Sequence, residues 1–243
     1  GKTFAYLIPA IFWAAMNKER VVLSTNTINL QEQLMQKDIP LLLSALPVKC
    51  KAVLVKGRGN YLCLRKLAML EREFDLLSTP EEREVLQDII AWAKQTRDGS
   101  RSDLTFVPRA EVWDKVNAES DTCLRAKCPH FADCFVNRAR RDAASADLLV
   151  VNHHLLFADL SVRSATGSYN DVAVLPGYRR VIFDEAHNIE DSATSYLGAR
   201  VTRFGLLRLL GRLHHPQPQR QEAGLIAALR AKLMRVPRGN EGV

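Results

Sequence analysis

Short, almost wholly apolar runs alternate with helix-like stretches over much of this 243-residue chain, and that rhythm restricts what it can fold into. Residues 20–25 and 50–55 read as strands, and so do 148–151 and 181–183. The last two carry no polar residue at every second place, so neither face is meant for water. Strands of that kind belong in a parallel sheet covered by helices on both sides. The expected class is therefore α/β. Between the strands, 4–16 reads as a helix. Residues 29–46 read as another, with Leu30, Leu34, Ile39 and Leu42 roughly on one face and Pro40 as a kink or break. Beyond about 195 the pattern is helical and leucine-rich. One stretch holds Leu206, Leu207, Leu209, Leu210 and Leu213, a polar loop covers 214–219, and a second stretch runs over 225–233.

Residues 57–140 break the rhythm. A turn, Gly57-Arg58-Gly59-Asn60, leads to a charged helix-like stretch at 80–95, then to a loop rich in Gly, Ser and Asp. This reads as an insertion. It contains Cys63, Cys123, Cys128 and Cys134, separated by 59, 4 and 5 residues. Five cysteines without a secretory context argue against a disulfide framework. Zinc sites favour tighter pairs, so the wider spacing suits thiolates around a larger iron–sulfur cluster. A mixed zinc site using His130, or unligated thiols, also satisfies the spacing. Cys50, among Val53 and Val55, reads as an ordinary buried cysteine.

Two short motifs flank the insertion. Gly1-Lys2-Thr3 ends as a phosphate loop ends: Gly1 admits backbone N–H groups to phosphate oxygens, Lys2 brings a point charge, and the Thr3 hydroxyl is a hard oxygen ligand for Mg²⁺. Asp184-Glu185-Ala186-His187 follows an apolar run, which predicts Asp184 at the carboxyl end of a buried strand. That is where open parallel sheets bind ligands. An acid there can hold Mg²⁺, and Glu185 can orient and deprotonate a water. A strand followed by an acidic helix cap is the plainer reading of the same residues.

The charge balance is uneven. The net charge is +7, of which residues 191–243 supply +6 and residues 1–190 only +1. Such a tail fits either a solvated helical surface or a nucleic-acid contact. The 13-residue apolar stretch 4–16 is too short to span a membrane, so no membrane partner is expected.

Taken in order, Gly-Lys-Thr, then Leu23-Ser24-Thr25-Asn26-Thr27 with Leu30-Gln31-Glu32-Gln33-Leu34, then Lys56-Gly57-Arg58-Gly59-Asn60-Tyr61-Leu62-Cys63, then the clustered cysteines, then Val151-Asn152-His153-His154-Leu155-Leu156, and then Asp-Glu-Ala-His, the chain resembles superfamily 2 iron–sulfur helicases of the XPD/DinG type. The glycine–arginine and Asn-His-His stretches are most similar to the bacterial DinG/YoaA branch. The resemblance covers about residues 1–190; 191–243 match loosely. It implies a RecA-like first motor lobe over 1–56 and 141–194, an iron–sulfur insertion over 57–140, and the start of a helical arch domain over 195–243.

The resemblance further implies ATP, Mg²⁺ and a 4Fe-4S cluster as cofactors. Gly1, Lys2, Thr3, Asp184 and His187 would serve the nucleotide, Thr3 and Asp184 the Mg²⁺, and Glu185 with Asp184 and Lys2 the hydrolysis. Cys63, Cys123, Cys128 and Cys134 would hold the cluster. Thr25, Asn26, Thr27, Gln31, Arg58 and Tyr61 would lie along single-stranded DNA, for which hydroxyl, amide and guanidinium donors with an aromatic platform are the fitting chemistry. Tyr61 can equally pack inward, and His153 and His154 read more readily as structural than as DNA contacts. The family acts 5′ to 3′ in DNA repair or damage tolerance, on single-stranded, forked or damaged DNA. A cytoplasmic monomer with a replication or repair protein as partner is expected. A second motor lobe and the upstream phosphate loop are missing from the pattern, so the chain reads as a fragment. The rival readings are a DinG-type exonuclease and a zinc-stabilised nucleic-acid-binding module without catalysis.

Overall fold

The computed structural model describes residues 2–72, 80–168 and 172–197, together with helical positions 206, 210, 213, 226, 229 and 230. Residues 1–197 form one compact unit and 198–243 a second. In the second, Leu206, Leu210, Leu213, Ile226 and Leu229 are helical and exposed. The rest of the leucine-rich pattern, Leu207 and Leu209 included, lies outside the described residues. No described helix is long and apolar enough to cross a membrane.

The first unit is built on four parallel strands, β1 (Val21–Thr25), β2 (Ala52–Leu54), β3 (Leu148–Asn152) and β4 (Arg180–Phe183), in the order β2-β3-β1-β4. The α/β class and the parallel sheet expected from the apolar runs are both present. β1 is buried along all five residues because it has a partner on each side. Alternate side chains serve opposite faces. Val21 and Leu23 pack with Leu148 and Val150 against α1 (Lys2–Asn17), through Leu7, Ala10, Ile11 and Ala14. Val22, Leu149 and Val151 pack on the other side against Leu155 and Leu156 of the helix His153–Thr166. One expectation needs correcting: β4 is not a buried strand. Among the described residues it pairs with β1 alone, and Arg180 and Phe183 are exposed.

The segment around Pro40 is continuous rather than broken. A helix over Ile28–Gln33 widens into a π-helical turn over Leu34–Asp38 and resumes over Ile39–Ala45. Pro40 has no N–H to donate one turn back, and just ahead of it the Ile39 N–H reaches Leu34 O. The extra residue in that turn keeps Leu34, Ile39 and Leu42 together in the core. Within α1, Pro9 is exposed and so is Ala5, whose carbonyl loses its helical donor to water.

The insertion has its own core, formed by Tyr61, Leu62, Leu86, Ile89, Val112, Trp113, Phe135 and others. It contains the helices Leu64–Arg72, Pro80–Ala93, Ala110–Val116 and Phe135–Ala144. Tyr61 and Leu62 make antiparallel bridges to Ser100 and Asn117. Gly99 beside them has φ +64°, and a Cβ there would strike the Phe135 ring, so only glycine fits.

Two arginines tie loops to the sheet. Arg20, at the start of β1, donates to the carbonyls of Ala144, Ala146 and Gly177 at 2.7, 2.9 and 2.6 Å. Arg163 is buried and paired with Asp159 at 2.6 Å; it also donates to Leu175 O at 3.0 Å. Asp159 in turn accepts from the Val174 and Leu175 N–H groups and the Tyr178 hydroxyl. This network holds the residues that lead into β4. Removing one partner of a buried pair strands the other charge, so Asp159→Ala should lower the unfolding free energy by about 3–5 kcal/mol. Arg179→Ala, at a mostly exposed pair with Glu19, should cost less than about 1 kcal/mol. Urea unfolding midpoints of the two variants check the contrast.

Candidate active site

The carboxyl ends of β1, β3 and β4 finish level. Pairing Thr25 with Asn152, and Ser24 with Phe183, brings Asp184 beside Thr25, and the Asp184 N–H donates to Ser24 O at 2.8 Å. The Asp184 carboxylate is partly exposed there. Its Oδ2 accepts from the Tyr6 hydroxyl at 3.0 Å and, at the limit of hydrogen bonding, from Thr25 Oγ1 at 3.5 Å. Tyr6 lies one turn into α1, on the same helical face as Thr3. The start of α1 and the acid motif are therefore joined through one phenol. Lys2 is exposed in the first turn, and Gly1 lies outside the described residues.

Glu185 follows in the left-handed region, φ 52° and ψ 49°, and caps a short 3-10 turn over Ala186–Asn188. A non-glycine residue held there carries local strain, the usual mark of a position fixed for a purpose. His187 Nδ1 lies 3.5 Å from Glu185 Oε2, and its Nε2 lies 3.0 Å from Asn188 Nδ2. Acid, base candidate and imidazole thus share one exposed edge.

Beneath them sits His153, fully buried at the start of its helix, with Nδ1 2.7 Å from Ser24 Oγ and its ring 6.1 Å from that of Phe183. Its Nε2 makes no hydrogen bond. Burial lowers its basicity, against a smaller opposing pull from the backbone of Glu185 and Asp184. His153 is thus buried, as a structural histidine is, but with Nε2 unsatisfied rather than fully bonded. His154 is exposed, 5.8 Å from the Tyr196 ring.

The structure brings the four insertion cysteines around one cavity of about 40 Å³ that Arg58, Arg65, Arg125 and His130 also line. Cys63 is placed by its N–H to Val116 O at 2.8 Å, and Cys134 is the residue before the helix Phe135–Ala144. Burial disfavours the Cys123 thiolate, but the Arg125 N–H at 3.4 Å and the Arg58 guanidinium outweigh it and draw the thiol below its ordinary value. Among the described residues, no three His, Cys, Asp or Glu groups are gathered closely enough for a single ion. On one tetrahedral zinc, thiolates with bonds of about 2.3 Å would stand about 3.8 Å apart. Four cysteines spread about a shared cavity suit a larger, multi-iron group. Cys50 is separate, half-buried against the sheet core rather than within it, and burial pushes its thiol up to about 11.

The residues expected along DNA divide by exposure. Thr27 is exposed and Asn26 and Arg58 are partly so. Thr27 Oγ1 also caps the helix Ile28–Gln33 through the Leu30 N–H. Thr25, Gln31 and Tyr61 are buried, which corrects their expected availability. Thr25 completes β1 and turns to Asp184, and Tyr61 belongs to the insertion core. Trp113 Nε1 donates to Gly59 O at 2.7 Å and fixes the turn that carries Arg58. Tyr6 and Ser24 were missed as site residues. The one available signal was the spacing of Tyr6 from Thr3, which puts both on one helical face.

A histidine buried neutral binds fewer protons than it does unfolded. Its folded value lies below the ordinary 6.5, so its stabilising contribution is complete above about pH 6.5 and is lost as pH falls below it. Melting temperatures measured between about pH 7.5 and 5.5 should fall towards acid, and His153→Gln should flatten that slope.

No protein-family model matches the sequence. Individual relatives do. The chain is 38% identical over 213 residues to the ATP-dependent DNA helicase YoaA of Escherichia coli K12, covering 86% of this chain and 32% of that protein. It is 38% identical over 219 residues to the ATP-dependent helicase DinG of Mycobacterium tuberculosis H37Rv, covering 83% and 32%. It is 31% identical over 240 residues to the 3′-5′ exonuclease DinG of Bacillus subtilis, covering 97% and 24%. The chain thus spans about a quarter to a third of the length of these relatives. Over most of its own length the chain is thus similar to bacterial helicases named DinG and YoaA.

Proposed function

We propose that the chain forms the first motor lobe of an ATP-dependent DNA helicase, with an iron–sulfur insertion at 57–140 and the start of a helical domain from 195. The observation that carries this reading is the junction of α1 with the acid motif: the helix that follows Gly-Lys-Thr reaches Asp184 through Tyr6 at the carboxyl edge of the sheet. On this reading Gly1 and Lys2 hold the phosphates of ATP, and the Thr3 hydroxyl and Asp184 carboxylate hold Mg²⁺. Mg²⁺, when bound, neutralises charge on the phosphates during transfer. Glu185 orients the attacking water and takes its proton at the carboxylate. His187, beside Glu185, links the nucleotide state to the DNA side.

Single-stranded DNA is proposed to pass Asn26, Thr27 and Arg58, moving 5′ to 3′, with forked or damaged DNA as the larger substrate and repair or damage tolerance as the setting. The place of action is the cytoplasm, and a replication or repair protein is the proposed partner. Cys63, Cys123, Cys128 and Cys134 are proposed to hold a 4Fe-4S cluster whose role is to keep the insertion rigid beside the strand. The four-thiol cavity and the guanidinium groups around it support that donor set. The exonuclease alternative is favoured by the similarity to the 3′-5′ exonuclease DinG of Bacillus subtilis.

Three outcomes test this reading. In the full-length protein, Glu185→Gln should keep ATP binding and lower hydrolysis by about 10²–10⁴-fold, measured in single turnovers. Cys63→Ser should abolish unwinding and leave ATP binding largely intact. Anaerobically purified chain should be brown, with about four iron and four sulfide per chain; a colourless protein holding one zinc would remove the cluster from the proposal.

A further inference from the structure

The acid motif has a supporting residue that neither signature contains. Tyr6 is set by α1 on the face of Thr3, one turn further on. Its hydroxyl donates to Asp184 Oδ2 at 3.0 Å, and the weaker donor on the same oxygen is Thr25 at 3.5 Å. Among the described residues, Asp184 Oδ1 accepts no side-chain hydrogen bond. One carboxylate oxygen is therefore pinned from inside the protein while the other is left without a side-chain donor. From this geometry we infer that Tyr6 is a positioning residue: it fixes the rotamer of Asp184 so that Oδ1 meets the divalent cation that accompanies the nucleotide. This rests on the helicase-lobe reading above, in which Asp184 is a Mg²⁺ ligand.

A carboxylate that loses such a supporting hydrogen bond keeps its charge but swings, which weakens the metal more than the nucleotide.

The test uses the full-length protein, with Mg²⁺ titrated against binding of a fluorescent ATP analogue, and analogue binding without metal as reference. Tyr6→Phe should raise the Mg²⁺ concentration required by about tenfold and leave metal-free binding unchanged. Asp184→Asn should raise it further, and the double variant should match Asp184→Asn alone, since Tyr6 acts only through that carboxylate. Thr25→Val, which removes the weaker donor, should give a smaller shift in the same direction; it reads the same carboxylate should Tyr6→Phe fold poorly. An unchanged Mg²⁺ requirement in Tyr6→Phe, with Asp184→Asn shifted, overturns the positioning role and leaves the site reading standing. Equal weakening of metal-free binding by Tyr6→Phe also overturns it, by making the effect one of fold or nucleotide. An unchanged Mg²⁺ requirement in Asp184→Asn overturns the Asp184 assignment itself.

Discussion

The pairing of β1 on both sides is the constraint on which the rest of the site depends. Because Ser24 is in register with Phe183 and Thr25 with Asn152, three strand ends come level at one sheet edge. Their next residues, or their last side chains, then have a single place to meet. A one-residue slip of β4 would turn Asp184 to the opposite face and break its contact with Tyr6. Val21, Val22 and Leu23 are each no more than 2% exposed, and the register is held at its carboxyl end by the Asp184 N–H to Ser24 O at 2.8 Å.

β4 gains least from the sheet itself, since among the described residues it pairs only with β1. Its position is secured from elsewhere. The Asp159–Arg163 pair gathers the backbone at 174–175 and the Tyr178 hydroxyl just before the strand, and Asp184 N–H to Ser24 O closes its far end. A buried ion pair is seldom a strong source of stability by itself. Here nearly every lone pair and proton has a backbone partner, so it works as a clamp on the strand that delivers Asp184.

Much of this was legible in the residues. The strands fell within a residue or two of their expected places, because runs apolar on both faces have few other uses. The acid at the end of 181–183 was legible for the same reason. The edge position of β4 was not, since strand order is a matter of long-range pairing that local pattern does not encode. Tyr6 was hidden inside an apolar helical run, where an aromatic residue reads as core. Thr25 and Gln31 looked like loop donors because polar residues near a strand end usually face water; here Thr25 is fully buried at the end of β1 and Gln31 faces inward, 1% exposed. The cysteine spacing marked these thiols as a group, but a gap of 59 residues could not show that Cys63 lies on the same cavity as the other three.

The insertion and the sheet have separate cores, yet they are not mechanically independent. The helix Phe135–Ala144 crosses from one to the other. It begins at Cys134, places Phe135 and Val136 in the insertion core, and ends with Ala143 in the core beneath the sheet. At about 1.5 Å per residue its ten residues make a rod of about 15 Å. Its far end is held by Arg20, which takes the carbonyls of Ala144 and Ala146 from the first turn of β1. A displacement at the cysteines therefore has a stiff path to the amino end of β1, while Lys56, bonded to Ser100 and Ser102, ties the insertion to the end of β2. Two attachments at opposite ends of the sheet resist tilting better than one. That is the arrangement required if the insertion is to hold its place while the nucleotide edge of the lobe changes state.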